Sequence, residues 1–236
     1  MLKKVSLVIL SVAMFAGLES HLGQARPINT PNVREAIEAE KALLEQSTAT
    51  VELPCAISRF DNLMRKVGAE EGQDWRLMSA IAYCESRFIE NLESQRGAVG
   101  IMQIRPVVAR HFNVPVESID DTETNIRLAG MLLAELDGML RLPKSTPVAD
   151  RMSIILASYN AGIGHVLDAR RLARSEGANP NSWSDVSRYL KLMSDPVYYQ
   201  KDVVQNGKFS GSGQTLSYVD EVMHKYHQYC KIATLL

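Results

Sequence analysis

From Phe60 to Tyr226 the apolar residues recur three and four places apart, and no stretch of useful length alternates apolar with polar. That period is a helix's and not a strand's, so the chain is expected to fold as a mainly α domain. A small β-ribbon is allowed only around Asn91 to Gly100. The 236 residues suffice for one domain with a sizeable core. A formal net charge of −1 gives no reason to expect nucleic acid or an anionic surface as a partner.

Punctuation divides the period into helices. Phe60, Leu63, Met64 and Val67 share one face, with Gly68 and Gly72 marking the end of that helix. Asp74 is a good N-cap for a helix from Trp75 to about Glu85. Pro106 can open a short helix through His111, and Asn113 to Asp121 reads as loop. Thr124 or Asn125 is expected to cap a long helix carrying Ile126, Ala129, Leu133, Leu136 and Leu140. Further helices are expected from Val148 to about Asn160, from Val166 to Ala173, from Ser182 or Ser184 onward, after Pro196, and across Leu216 to Tyr226.

One position breaks the pattern in an informative way. Met78, Ile81, Ala82 and Glu85 fall at i, i+3, i+4 and i+7, so a carboxylic acid shares a face with core residues. Burial disfavours the charged form and raises a carboxyl pKa. The negative end of a helix acts in the same direction. A Glu held protonated near neutral pH is what a general acid requires. The plain reading is a Glu at a helix end that turns out to solvent, and Arg87 would oppose the shift if it folded back.

Two more stretches carry chemistry-bearing groups. Gly97-Ala98-Val99-Gly100-Ile101-Met102-Gln103 follows the acid closely, and its glycines permit positive φ or a close approach. Ala157-Ser158-Tyr159-Asn160-Ala161-Gly162 sets a phenol and an amide at a helix end. Taken alone, the first is also an ordinary turn, and the second also a core Tyr with a capping Asn. His224, His227 and Cys230 sit three apart on the last helix, a spacing open to a metal ion but equally that of a solvated face. No metal or other cofactor is expected.

Lys3-Lys4, the apolar run from Val5 to about Leu18 and small residues near Ala25 form a secretory signal pattern. The run falls short of the roughly twenty residues of a comfortable transmembrane helix, although an uncleaved anchor is the alternative. Residues 1–25 are therefore expected to be a signal peptide, 26–52 a flexible tether broken by Pro27 and Pro31, and 53–236 the folded domain. Export would permit one disulfide among the three cysteines. Cys55 and Cys230, near the two ends of the domain, are the expected pair.

Glu85-Ser86, the run Ser94 to Gln103, and Ala157 to Gly162 occur in that order, and together they resemble the lysozyme-like lytic transglycosylase (SLT) domain. The continuation Gly164-His165-Val166-Leu167-Asp168-Ala169-Arg170, then Asn181-Ser182-Trp183 and Tyr218-Val219, is similar to the catalytic domain of membrane-bound murein transglycosylase F. The resemblance covers roughly Arg59 to Tyr229. It implies a goose-type, lysozyme-like α domain that cleaves peptidoglycan glycan strands at the β-1,4 bond from N-acetylmuramic acid to N-acetylglucosamine, leaving 1,6-anhydro ends.

By the same resemblance, Glu85 is the single catalytic acid. Ser94, Met102 and Gln103 are saccharide-cleft residues, Tyr159 lies close to the acid, Asn160 supports that corner, and Tyr218 is the aromatic of the closing motif. With the signal pattern, the chain is expected to be an exported monomer of the periplasm or cell envelope, with outer-membrane association left open. A hydrolytic muramidase on the same fold and a non-catalytic glycan-binding module are the alternatives. Two departures stand out: Cys84 replaces a usually polar residue before the acid, and only the short tether stands where relatives carry a solute-binding domain, so sensing is not carried over.

Overall fold

In the computed structural model, which describes residues 55–233, every helix expected there forms, and the differences lie at the helix ends and in one short added turn. Helix α1 (Asp61–Glu71) begins at Asp61, whose buried carboxylate accepts from the backbone N–H groups of Ala56, Ile57 and Ser58 at 2.7, 2.9 and 2.9 Å. Gly68 does not end this helix. It lies inside it, where an added Cβ would meet the Gln73 carbonyl at 2.8 Å, and the helix stops at Gly72 with φ 68°.

Helix α2 (Trp75–Ser86) has the expected cap: the Asp74 side chain accepts from Arg76 N–H at 2.9 Å. Helix α3 (Pro106–His111) follows. The stretch expected to be loop then contains a short 3₁₀ turn at Val116–Asp120. Helix α4 (Thr122–Leu140) is capped by Asp121 and not by Thr124 or Asn125. The Asp121 carboxylate, with its extended backbone, takes the Thr124 N–H at 2.9 Å, so Thr124 is the group being capped.

Helices α5 (Val148–Ala161) and α6 (Ile163–Ser175) are separated by Gly162 alone. Then come α7 (Trp183–Leu192), α8 (Pro196–Tyr199) and the long α9 (Ser212–Ala233). Ser182 sits at the start of α7, but its side chain makes no cap. Asp150 of α5 accepts the Trp183 N–H at 3.0 Å instead. Among the described residues the only β pairing is a pair of isolated bridges, Glu93 with Val99 and Val99 with Ile104.

Helix α2 is the centre. It packs against α1, α4 and α9, while α5 packs against α4, α6, α7 and α9. Met78, Ala80, Ile81 and Ala82 are completely buried among Met64 and Val67, Ile126 and Ala129, and Val219 and Val222. Each large apolar side chain enclosed this way contributes about 1.5–3 kcal/mol. Asp168, also completely buried, accepts from the backbone N–H groups of Gln205 and Asn206 at 2.8 and 2.7 Å and so pins the 200s loop to α6.

All three cysteines are free, with Cys55 exposed and Cys230 half-buried on α9, so the expected Cys55–Cys230 bridge does not form. The expected signal peptide and tether lie outside the described residues. No helix among the described residues is long and apolar enough to cross a membrane.

Candidate active site

Glu85 stands in the last turn of α2, half-buried and one turn beyond the enclosed Ile81 and Ala82. The helix is stopped there by two left-handed residues in succession, Arg87 (φ 54°) and Phe88 (φ 65°). This turn sends the Arg87 side chain outward. Its guanidinium lies 4.1 Å from the centre of the Tyr83 ring and donates to Glu221 at 2.9 Å. Arg87 therefore leaves Glu85 unneutralised, and burial pushes the Glu85 carboxyl up to about 7. The Tyr218 hydroxyl of α9 lies beside it and draws the value partly back, yet that hydroxyl is enclosed without a partner of full hydrogen-bond geometry.

The loop after α2 is fixed from several directions. The buried Ser86 hydroxyl donates to the carbonyls of Ala82 at 3.1 Å and Ile101 at 2.8 Å. Val99 and Ile104 exchange both backbone hydrogen bonds at 2.9 Å. The Ser94 hydroxyl accepts from Ala98 N–H at 2.9 Å. Gln103, itself at φ 50°, donates its amide N–H groups to the carbonyls of Leu92 and Gly100, both at 3.0 Å.

Beneath the loop lies Asn125, buried in the first turn of α4. Its Oδ1 accepts from Met102 N–H at 2.8 Å, and its Nδ2 donates to the carbonyls of Val99 and Ile119, both at 2.9 Å. Gly100 (φ 80°) permits this approach, because a Cβ there would stand 2.5 Å from Asn125 Nδ2. From the other side the Tyr159 hydroxyl donates to the Met102 carbonyl at 2.9 Å. Burial, then the nearby Glu85 charge, raises the Tyr159 and Tyr218 phenols well above their ordinary range.

Glu85, Ser94, Gln103 and Asn160 line one open cleft of about 440 Å³, within the range of small-molecule sites. Asn160 is exposed there, and its Oδ1 accepts from the buried Thr215 hydroxyl at 2.9 Å. Met102, expected to form a cleft wall, is wholly enclosed in the core, so its backbone is what the site uses. Tyr159 and Tyr218 stand behind the acid and are not among the lining residues. Arg96, Arg105 and Gln214 line the cleft without having been singled out in the sequence. The two arginines fall in or beside the glycine-bearing loop, which was the available signal; nothing marked Gln214.

Glu85 is the only carboxyl lining the cleft among the described residues. Glu90 is held by Thr122 at 2.9 Å and by Arg59, and Glu93 faces solvent. Burial keeps the thiol of Cys84 protonated by pushing it up to about 12, so a thiolate does not compete beside the acid. Among the described residues no group of three or more His, Cys, Asp or Glu is arranged to hold a metal ion.

A helical domain built around a half-buried glutamic acid at a helix end, facing an open cleft, is the architecture of the lysozyme-like transglycosylases. The transglycosylase SLT domain family model matches residues 62–181, and the chain belongs to that family. It is 37% identical over 175 residues to the membrane-bound lytic murein transglycosylase F of Shewanella pealeana, covering 72% of this chain and 35% of the relative. It is 36% identical over 145 residues to the protein of the same name from Marinobacter nauticus, covering 61% and 28%. The chain thus spans about a third of the length of the curated relatives it matches. An inactive variant of the lytic transglycosylase Slt from Pseudomonas aeruginosa shares the fold, with a TM-score of 0.52 at 16% identity over 85% of this chain and 30% of that one.

Proposed function

We propose that this chain cleaves the glycan strands of peptidoglycan between N-acetylmuramic acid and N-acetylglucosamine, leaving a 1,6-anhydro-muramyl end, with Glu85 as the only catalytic carboxyl. The observation that carries the reading is a single acid in the cleft, held protonated near neutral pH by its burial. Ordinary glycosidases flank the scissile bond with two carboxyls, and a lone acid calls for a different second half-reaction.

In that reaction Glu85 protonates the glycosidic oxygen and the bond to C1 breaks. The acetamido group of the muramyl unit supports the electron-poor C1 that results. Glu85, now a carboxylate, takes the proton from the C6 hydroxyl of the same sugar, whose oxygen closes on C1. The acid ends as it began, and no water is consumed. The Tyr218 and Tyr159 phenols stay neutral beside the transient carboxylate, so Tyr218 can donate to it in the charged half of the cycle. Ser94, Gln103 and Asn160 offer hydroxyl and amide groups to the sugars.

The relatives are named as membrane-bound murein enzymes. Together with the signal pattern of residues 1–25, that favours action in the periplasm or cell envelope. Mass analysis of products from purified sacculi tests the reaction. The expected ends are one water lighter than reducing ends and are absent with Glu85→Gln. Reducing ends would instead assign a hydrolase, and sacculus binding without product would assign a glycan-binding module.

A further inference from the structure

We propose that Arg96 and Arg105 form a carboxylate-binding subsite in the Glu85 cleft, which takes the acidic substituent carried by the muramyl unit. The proposal rests on the transglycosylase reading above and adds a preference to it. Both side chains are exposed and both line the cleft, one from the ribbon loop and the other from the residue just before α3.

Arg76, Arg87, Arg127, Arg151, Arg171 and Arg188 each pair with a carboxylate. The side chains of Arg96 and Arg105 have no ion pair, hydrogen bond or ring contact among the described residues. Of the described arginines, Arg110, Arg141 and Arg174 also lack a side-chain partner, but none of those three lines the cleft. No acid other than Glu85 lines the same cleft. Two free guanidinium groups, paired with no carboxylate and sharing the cleft with Glu85 as its only acid, are arranged for an anion that arrives with the substrate. A guanidinium binds a carboxylate through a planar fork of two N–H donors, a charge-assisted geometry that neutral sugar hydroxyls do not match.

The glycan backbone is neutral apart from the lactyl ether at C3 of the muramyl unit. Its carboxyl is free on strands without peptide. On strands with peptide it is consumed in the amide bond, and the carboxylates of the peptide take its place. Either source presents the same group to the arginines.

Equilibrium binding separates this preference from catalysis. The probes are bare glycan strands and peptide-bearing strands, each in acidic form and with the carboxyls converted to primary amides. The proteins are Glu85→Gln, which removes turnover, and the same variant with Arg96→Gln and Arg105→Gln added. The parent is expected to bind the acidic form about tenfold or more tightly than the amidated form. The variant that lacks Arg96 and Arg105 should bind both forms equally, at the weaker level, with an unchanged melting temperature because neither side chain has a partner to lose. A difference confined to bare strands assigns the lactyl carboxylate, and one confined to peptide-bearing strands assigns the peptide carboxylates. Equal binding of acidic and amidated strands by the parent overturns the subsite while leaving the reaction intact. No binding of any strand, together with no anhydro product from the unsubstituted protein, overturns the transglycosylase reading and the subsite with it.

Discussion

The hydroxyl of Ser86 donates to the carbonyl of Ile101 at 2.8 Å, which fastens the last residue of the helix bearing Glu85 to the loop bearing Gln103. Both ends of this bond are buried. Replacing Ser86 by Ala leaves the Ile101 carbonyl enclosed without its donor, at a cost of about 1–3 kcal/mol. Urea unfolding should show that loss. Turnover of sacculi should fall further than the remaining folded fraction explains, because the acid and the opposite cleft wall lose their common anchor. Unchanged turnover in a destabilised Ser86→Ala protein would show that the anchor serves stability alone.

Gly100 carries a second constraint on the same loop. Its φ of 80° disfavours any side chain, and a Cβ would press on Asn125 Nδ2 at 2.5 Å. Asn125 cannot retreat without releasing Met102, Val99 and Ile119 together. Gly100→Ala is expected to destabilise by about 2 kcal/mol or more. Gly97→Ala, where nothing lies within 4 Å of the added Cβ, should bear only the backbone strain of its φ of 69°. Thermal melts of the two variants, compared side by side, separate the contact from the conformation.

Tyr159 anchors the loop from α5. Tyr159→Phe removes the donor to the Met102 carbonyl and leaves the ring in place. A loss of about 1–2 kcal/mol is expected, with a lower kcat and a KM that moves little, since the ring is not among the lining residues of the cleft. Steady-state kinetics on soluble glycan strands read the split. A rise in KM at constant kcat would move Tyr159 from supporting the loop to contacting sugar.

The helices were legible because each is bounded by residues with local reasons to start or stop it, such as Asp74 before α2 and Pro106 in α3. Glu85 was legible because an acid in register with Met78, Ile81 and Ala82 contradicts its own face. Asn125 was not. As a polar residue near a helix start it reads as a cap, and only the fold brings Met102, Val99 and Ile119 within its reach. Met102 was misplaced for a related reason: sequence order puts it in the cleft loop, but the turn at Gln103 (φ 50°) lets residues 101 and 102 point inward and be wholly buried. The free state of Cys55 and Cys230 reflects the same limit, because closeness of chain ends does not fix the distance between two particular side chains. Arg96 and Arg105 share their lack of a side-chain partner with Arg110, Arg141 and Arg174, and what sets them apart is their place in the Glu85 cleft, a property that no spacing encodes.

The raised carboxyl of Glu85 makes two pH predictions with one sign. The proposed reaction starts from the protonated acid, so the rate should fall as pH rises through about 7. Stability follows the same proton. The folded state holds it up to about 7, whereas the unfolded chain releases it near the ordinary 4.5, so between those values the native state binds more protons. Unfolding free energy contributed by this group is therefore full below about 4.5 and lost as pH climbs to 7, on the order of 3 kcal/mol in all. Glu85→Gln carries no such proton. Its melting temperature should match that of the parent near pH 4.5 and exceed it near pH 8, because the parent alone must then keep a charge in the half-buried site. Parallel melting curves across that range would mean that Glu85 ionises as freely in the folded protein as in the unfolded chain, and the acid would lose the property on which its assigned role depends.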